Sequence, residues 1–241
     1  GADPSTLDPR KTWVAQGYSI NAHVFEPLVF RTEKDGNVLL TPLLAESWEQ
    51  ISPTELQIKV REGIKFHNGE PLNAEAVAYT LTSIQDEAFV TNLKLWLRDI
   101  TEVEVMSEYV LVLKTASPTR GLLNLLAQVP IVAPEAAKSP DFEKSRIGTG
   151  PYKIMSYVPS GQVVVEKNAD YWGKPGKADK ITFRITPETR AGIFRCSTIF
   201  KTAFSITSVA WSSLGCAHAN DPLAINTQLP RKNKLLMKGI L

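Results

Sequence analysis

From Leu56 the chain alternates: Leu56, Ile58 and Val60 are apolar, while Gln57, Lys59 and Arg61 are polar. A period of two predicts a strand with one buried face. Glu62-Gly63 interrupts the pattern, and Ile64 and Phe66 resume it with Lys65 and His67 on the other side. Asn68-Gly69 predicts a turn, because both residues tolerate positive φ. Beyond it the period changes, and Ala74, Val77, Ala78, Leu81 and Ile84 recur at helical spacing. Asn73 offers a side-chain oxygen as N-cap, and Glu75 places negative charge in the first turn. The unit reads as strand, turn, amphipathic helix.

The same reading extends along the chain. Asp3 to Pro9 is extended and stiffened by two prolines, and a helix through Ser19, Ile20, Ala22, His23 and Val24 leads into Glu26-Pro27. Asp35-Gly36 marks a tight turn between short strands. Val103 and Val105 alternate with Glu102 and Glu104, and Val110 to Leu113 continues after a polar Ser107-Glu108, which predicts a β-hairpin. Leu122, Leu123, Leu125 and Leu126 form an apolar helical patch, and Pro134 starts a further helix. A hairpin runs through Val163 to Glu166, and Ile181 to Ile185 alternates again. Alternation without long β-α-β spacing predicts an α+β protein whose lobes hold mixed sheets. No internal repeat or low-complexity segment interrupts it.

Composition narrows the function classes. At 241 residues and 43% hydrophobic, the chain has enough apolar material for a substantial core in one or two domains. The formal charge is +2 with acids and bases interspersed, which argues against a dedicated nucleic-acid binder. No apolar run reaches the roughly 18 residues that span a bilayer. Cys196 and Cys216 have no CxxC or zinc-ligand spacing. A bridge between them and two free thiols both remain open. Three histidines without a flanking acid pattern give metal catalysis no support, and no G-x-S-x-G elbow exists for acyl transfer. No cofactor is expected.

Three segments carry a family resemblance: Phe25-Glu26-Pro27-Leu28-Val29; Pro42 to Glu49; and Val60 to Glu75. In order and spacing they resemble the signature of the bacterial extracellular solute-binding proteins of family 5, which supply peptides, nickel chelates and other small solutes to ABC importers. Ile147-Gly148-Thr149-Gly150-Pro151-Tyr152 and Asn168-Ala169-Asp170-Tyr171-Trp172-Gly173 resemble later family segments. The resemblance implies a periplasmic binding protein type II-like fold, incomplete here because family members are about twice this long. It implies residues 1–36 as the first part of lobe I, 37–157 as a second domain, and 158–192 as the return into lobe I. Residues 193–241 are left as an unassigned tail, read as a disrupted or a divergent terminal segment. It further implies an exported, periplasmic protein whose signal peptide has been removed. That protein would be a monomer delivering a peptide-like or opine-like solute to an ABC permease by closing two lobes around it. The rivals are a truncated fragment that binds nothing and, more remotely, a hydrolase on a related scaffold.

Such a protein needs a cleft with aromatic faces and a few aimed polar groups. The resemblance places the segment that pairs with a peptide's backbone on Trp13, Val14 and Ala15, with Tyr18 one helical turn on. Trp13 and Tyr18 would stack on a solute and donate from the indole N–H or phenol O–H; the alternative for each ring is packing into lobe I. Arg98, beside Trp96, would clamp a carboxylate, the alternative being a core tryptophan next to a solvated arginine. Nickel-chelate binders of the family use an arginine where this chain has Val129-Pro130, a departure that counts against a nickel chelate. Gly148-Thr149-Gly150 lacks phosphate-loop spacing and reads as a tight inter-lobe turn. Trp48, Tyr171 and Trp172 read as scaffold, His67 as a surface or hydrogen-bonded histidine, and His23 as a helix-face neighbour of Glu26.

Overall fold

Among the described residues of the computed structural model every strand pairing is antiparallel. The structure describes residues 7–11, 15–119, 121–139, 142, 146–159, 161–184 and 196–198. The first elements are a helix α1 (Ala15–Val24) and a two-stranded sheet of β1 (Val29–Lys34) and β2 (Asn37–Pro42). Asp35 and Gly36 turn between these strands with φ of 53° and 75°, the left-handed pair that a two-residue hairpin needs. The expectation of mixed sheets is corrected. Consecutive strands here are joined mostly by short turns, and a short turn can return the chain only antiparallel.

A four-stranded sheet follows in the order β3-β4-β6-β5, from β3 (Ala45–Ser52), β4 (Glu55–Val60), β5 (Ile100–Ser107) and β6 (Val110–Thr115). The predicted strand is β4, with Leu56, Ile58 and Val60 buried. Ile64 and Phe66 are buried as well, but they lie in a tight loop rather than in a strand. Gly63 adopts φ of 78°, and the Leu72 N–H returns to the Ile64 carbonyl at 2.9 Å. Helix α2 (Ala74–Gln85) is capped by Asn73, whose side chain accepts from the Ala76 N–H at 2.9 Å. It lays Val77, Leu81 and Ile84 onto the sheet. The short helices α3 (Lys94–Leu97) and α4 (Leu122–Leu126) close this first core with Leu93, Leu97, Leu122 and Leu126.

After α5 (Pro134–Lys138) the chain forms a second four-stranded sheet, ordered β10-β9-β8-β7. Its strands are β7 (Tyr152–Val158), β8 (Gln162–Lys167), β9 (Lys180–Arg184) and β10 (Cys196–Thr198). The last three residues belong to the segment that the sequence left unassigned, and they pair with β9 at Cys196↔Phe183. A second core forms where this sheet meets α1: Leu7, Ile20, Val24, Phe25, Val132, Phe142, Tyr152, Val163, Val165 and Ile181. All described residues lie in one compact unit. Among them no helix is long and apolar enough to cross a membrane.

Candidate functional site

The chain crosses between the two cores at Glu26-Pro27, at Pro130 to Ala133 and at Gly148 to Pro151, and polar contacts concentrate there. The Ile131 N–H donates to the Glu26 carbonyl at 2.9 Å, and the Val132 N–H donates to the Thr80 hydroxyl of α2 at 3.2 Å. Glu26 is 6% exposed. Its carboxylate accepts from the Tyr171 hydroxyl at 2.6 Å and from the Trp172 indole N–H at 2.9 Å. Burial pushes this carboxyl above its ordinary 4.5, and hydrogen bonding, from Tyr171 and Trp172 foremost, holds it partway back. The Tyr171 hydroxyl is pushed up, first by burial and then by the neighbouring Glu26 charge. Arg61 lies over the Trp172 ring at 5.4 Å. With Ile131 on its carbonyl and Tyr171 and Trp172 on its carboxylate, Glu26 joins three separate stretches of chain. His23 instead donates from Nδ1 to the Ser19 carbonyl at 2.8 Å and sits edge-on to Tyr152 and Phe183.

Gly148-Thr149-Gly150 is the seam itself. The Gly150 N–H donates to the Val24 carbonyl at 2.9 Å, so the chain leading into β7 runs directly against the end of α1. A Cβ on Gly148 would sit 2.1 Å from the Val24 carbonyl oxygen, and one on Gly150 2.7 Å from that of His23. The glycines are there for close backbone approach rather than for a phosphate. His67 grips the same seam from the first core. Its Nε2–H donates to the Gly150 carbonyl at 2.9 Å and its Nδ1 accepts from the Gly148 N–H at 3.4 Å. Burial, with the Lys153 charge as a lesser contribution, lowers this imidazole to about 4, and it is neutral at pH 7.

On the α1 side, Leu7 to Lys11 forms a turn closed by Asp8, whose carboxylate accepts from the Arg10 N–H at 2.9 Å. The Arg10 guanidinium is buried against Asp8, donating from Nη2 at 2.9 Å and Nε at 3.1 Å. It lies over Phe89 at 4.7 Å and Phe142 at 5.2 Å and donates from Nη1 to the Ser83 hydroxyl at 3.2 Å. The Thr91 hydroxyl donates to the Arg10 carbonyl at 2.6 Å, tying the loop after α2 to the segment that leads into α1.

Trp13 and Val14 lie outside the described residues. Ala15 opens α1, and Tyr18, on its first turns, is 42% exposed. Trp96 is half-buried and packs against the first core. The Arg98 side chain is 72% exposed, with the Asp99 carboxylate at 3.6 Å. Sequence reasoning missed Arg10, Thr91 and the central place of Glu26. The Asp8-Pro9-Arg10 turn was a usable signal for the first of these, because Asp side chains close turns on the residue two positions ahead. Among the described residues no cluster of three His, Cys, Asp or Glu side chains could hold a metal ion.

Solved structures that share this fold are type II periplasmic binding proteins. One structure of that class, AgaA of A. tumefaciens R10 in complex with agropinic acid, is 27% identical with a TM-score of 0.64. The match covers 72% of this chain and 35% of AgaA. The chain belongs to the bacterial extracellular solute-binding proteins of family 5, whose middle-region model matches residues 40–193. It is 32% identical over 188 residues to the nickel-binding periplasmic protein of Escherichia coli K12, covering 73% of this chain and 35% of that protein. It is 29% identical over 187 residues to a putative ABC transporter peptide-binding protein of Brucella ovis, with the same coverages. The chain thus spans about a third of the length of these curated relatives.

Proposed function

We propose that the chain is the solute-binding component of an ABC importer, working outside the cytoplasmic membrane in the periplasm. It takes a peptide-like or opine-like solute between two lobes and presents the closed form to a permease. The observation that carries this reading is the family match across residues 40–193, joined to relatives whose names specify nickel, peptide and agropinic acid as ligands. That spread of ligands fits a common scaffold with exchangeable lining. In this reading residues 1–36 and 158–192 build one lobe and 37–157 the second domain.

Trp13, Val14, Ala15 and Tyr18 line the solute's path, with Trp96 and Arg98 on the second-domain side. Tyr18 supports the assignment by its exposure on a helix whose other side chains Ile20 and Val24 are buried. The Arg98 guanidinium is exposed enough to exchange its aspartate for a solute carboxylate. Pro130 in place of an arginine favours an organic solute over a metal chelate.

Calorimetric titration of the 241-residue chain against peptides, opines and a nickel–histidine chelate tests the reading. Saturable heat with a peptide or an opine supports it. A chain that melts cooperatively yet gives no heat with any of them is a non-binding fragment, and heat with the chelate alone reassigns the ligand.

A further inference from the structure

We propose that Asn68 is a self-modifying site. In the folded chain its side-chain amide cyclises onto the Gly69 main-chain nitrogen, and hydrolysis leaves aspartate or isoaspartate in a turn that clasps both the glycine seam and α5. Asn68 is the only asparagine of the chain that is followed by glycine. Both residues are exposed, and nothing lies within 4 Å of where a Gly69 Cβ would stand, so no side chain shields the nitrogen that must attack. The inference does not depend on the importer reading.

The step balances with water as the sole co-reactant. Solvent base takes the Gly69 amide proton, and the nitrogen attacks Asn68 Cγ. An N–Cγ bond forms, the Cγ–Nδ2 bond breaks, and Nδ2 leaves as ammonia. Water then opens the cyclic imide. Opening at Cγ gives an aspartate, and opening at the main-chain carbonyl routes the backbone through Cβ and Cγ as isoaspartate. The fold slows this chemistry. The Gly69 N–H donates to the Phe66 carbonyl at 2.9 Å, Asn68 Oδ1 accepts from the Glu70 N–H at 3.2 Å, and Asn68 Nδ2 donates to the Glu70 carboxylate. The reaction runs through brief local opening of the turn.

The consequence follows from what the turn holds. On one side the His67 N–H donates to the Gly148 carbonyl at 2.9 Å, beside the ring contact to Gly150. On the other the Glu70 carboxylate accepts from the N–H groups of Glu135 at 3.0 Å and Ala136 at 3.3 Å, in the first turn of α5. Ala136 packs against both cores. Loss of Nδ2 takes a donor from the Glu70 carboxylate and sets a second negative charge beside it. Isoaspartate also adds a main-chain atom to the turn. Both changes loosen Glu70 from α5.

The test is ageing of the full 241-residue chain in mildly alkaline buffer, folded and in urea, with residue 68 read by peptide mass spectrometry and isoaspartate methylation. Conversion is expected in both, about tenfold faster in urea, because a closed turn opens only rarely. None is expected in Asn68→Ser, which keeps an acceptor for the Glu70 N–H and has no amide to cyclise. In the aged folded chain, hydrogen exchange at the Glu135 and Ala136 amides is expected to quicken about tenfold, as in Glu70→Ala. A folded chain without product at residue 68, after the urea-unfolded chain has converted, overturns the inference. Conversion with unchanged exchange at Glu135 and Ala136 overturns the link to α5, as does equal quickening in aged Asn68→Ser.

Discussion

Replacing Glu26 by alanine removes the acceptor for two donors that reach it from 145 and 146 residues further along the chain. Hydrogen bonds to a charged group contribute about 1.5–3 kcal/mol each, and a buried donor left without a partner loses about 1–3 kcal/mol. Tyr171 and Trp172 are both half-buried, so water would reach them in part and the lower half of each range applies. Burial of the carboxylate offsets some of the gain, as its raised proton affinity shows. The expected loss for Glu26→Ala is therefore about 3 kcal/mol. Glu26→Gln keeps one oxygen acceptor but turns an amide toward the second donor, so about half that loss is expected.

Urea unfolding followed by tryptophan fluorescence measures both variants, and Trp172 itself reports on the site. The midpoint should fall while the slope stays constant, the sign of a stability change without a change in the surface exposed. Glu26→Gln should also alter the pH dependence. A carboxyl raised in the folded state favours folding while protonated, and that contribution fades as pH rises through its folded value. The glutamine variant lacks this decline. An alanine variant within about 1 kcal/mol of wild type would refute the reasoning, since two partners of a buried acid cannot be lost so cheaply unless they repair elsewhere.

His67 has the opposite sign: it is depressed to about 4 in the folded chain against an ordinary 6.5, so the unfolded chain binds the extra proton. Stability from this residue should be complete above pH 6.5 and fall by up to about 3 kcal/mol as pH drops toward 4, a slope that His67→Gln removes in denaturation curves. Gly148→Ala drives a methyl into the Val24 carbonyl and the Phe25 ring, and a loss of about 3 kcal/mol is expected from overpacking against backbone. An alanine variant as stable as wild type in the same urea assay would remove close approach as the reason for this glycine. For solute binding, Trp13→Ala should weaken a bound peptide or opine at least about tenfold, roughly 1.4 kcal/mol. Unchanged affinity in a well-folded variant assigns that ring to packing.

Much of the fold was legible because it rests on short-range rules. Leu56, Ile58 and Val60 bury one face of β4 as their alternation predicts, Asn73 caps α2, and Asp35-Gly36 turns the first hairpin. Each of these signals lies within a few residues of the structure it dictates. The resumed alternation at Ile64 and Phe66 misled in detail. Burial of both side chains was right, but Gly63 and the return of Leu72 made a loop where the period alone predicts a strand. The antiparallel character of the sheets was missed because strand direction depends on which strands pair, and alternation is blind to partners.

The candidate site was less legible. His23 and Glu26 are spaced for contact on a helix face, yet Glu26 follows α1 and turns its carboxylate to Tyr171 and Trp172. Arg10 reads as an ordinary basic residue near a proline until Ser83, Phe89 and Phe142 close around it. By itself the sequence determined the family, the local elements and the buried faces, because periodicity, capping and turn chemistry act between near neighbours. Only the tertiary structure decided that one buried acid joins three stretches of chain, that two glycines exist to admit a helix end, and that Glu70 holds the start of a helix 65 residues further on. Those facts depend on contacts between residues far apart in the chain, and they arise only when two cores bury their apolar faces and leave their polar groups to find one another.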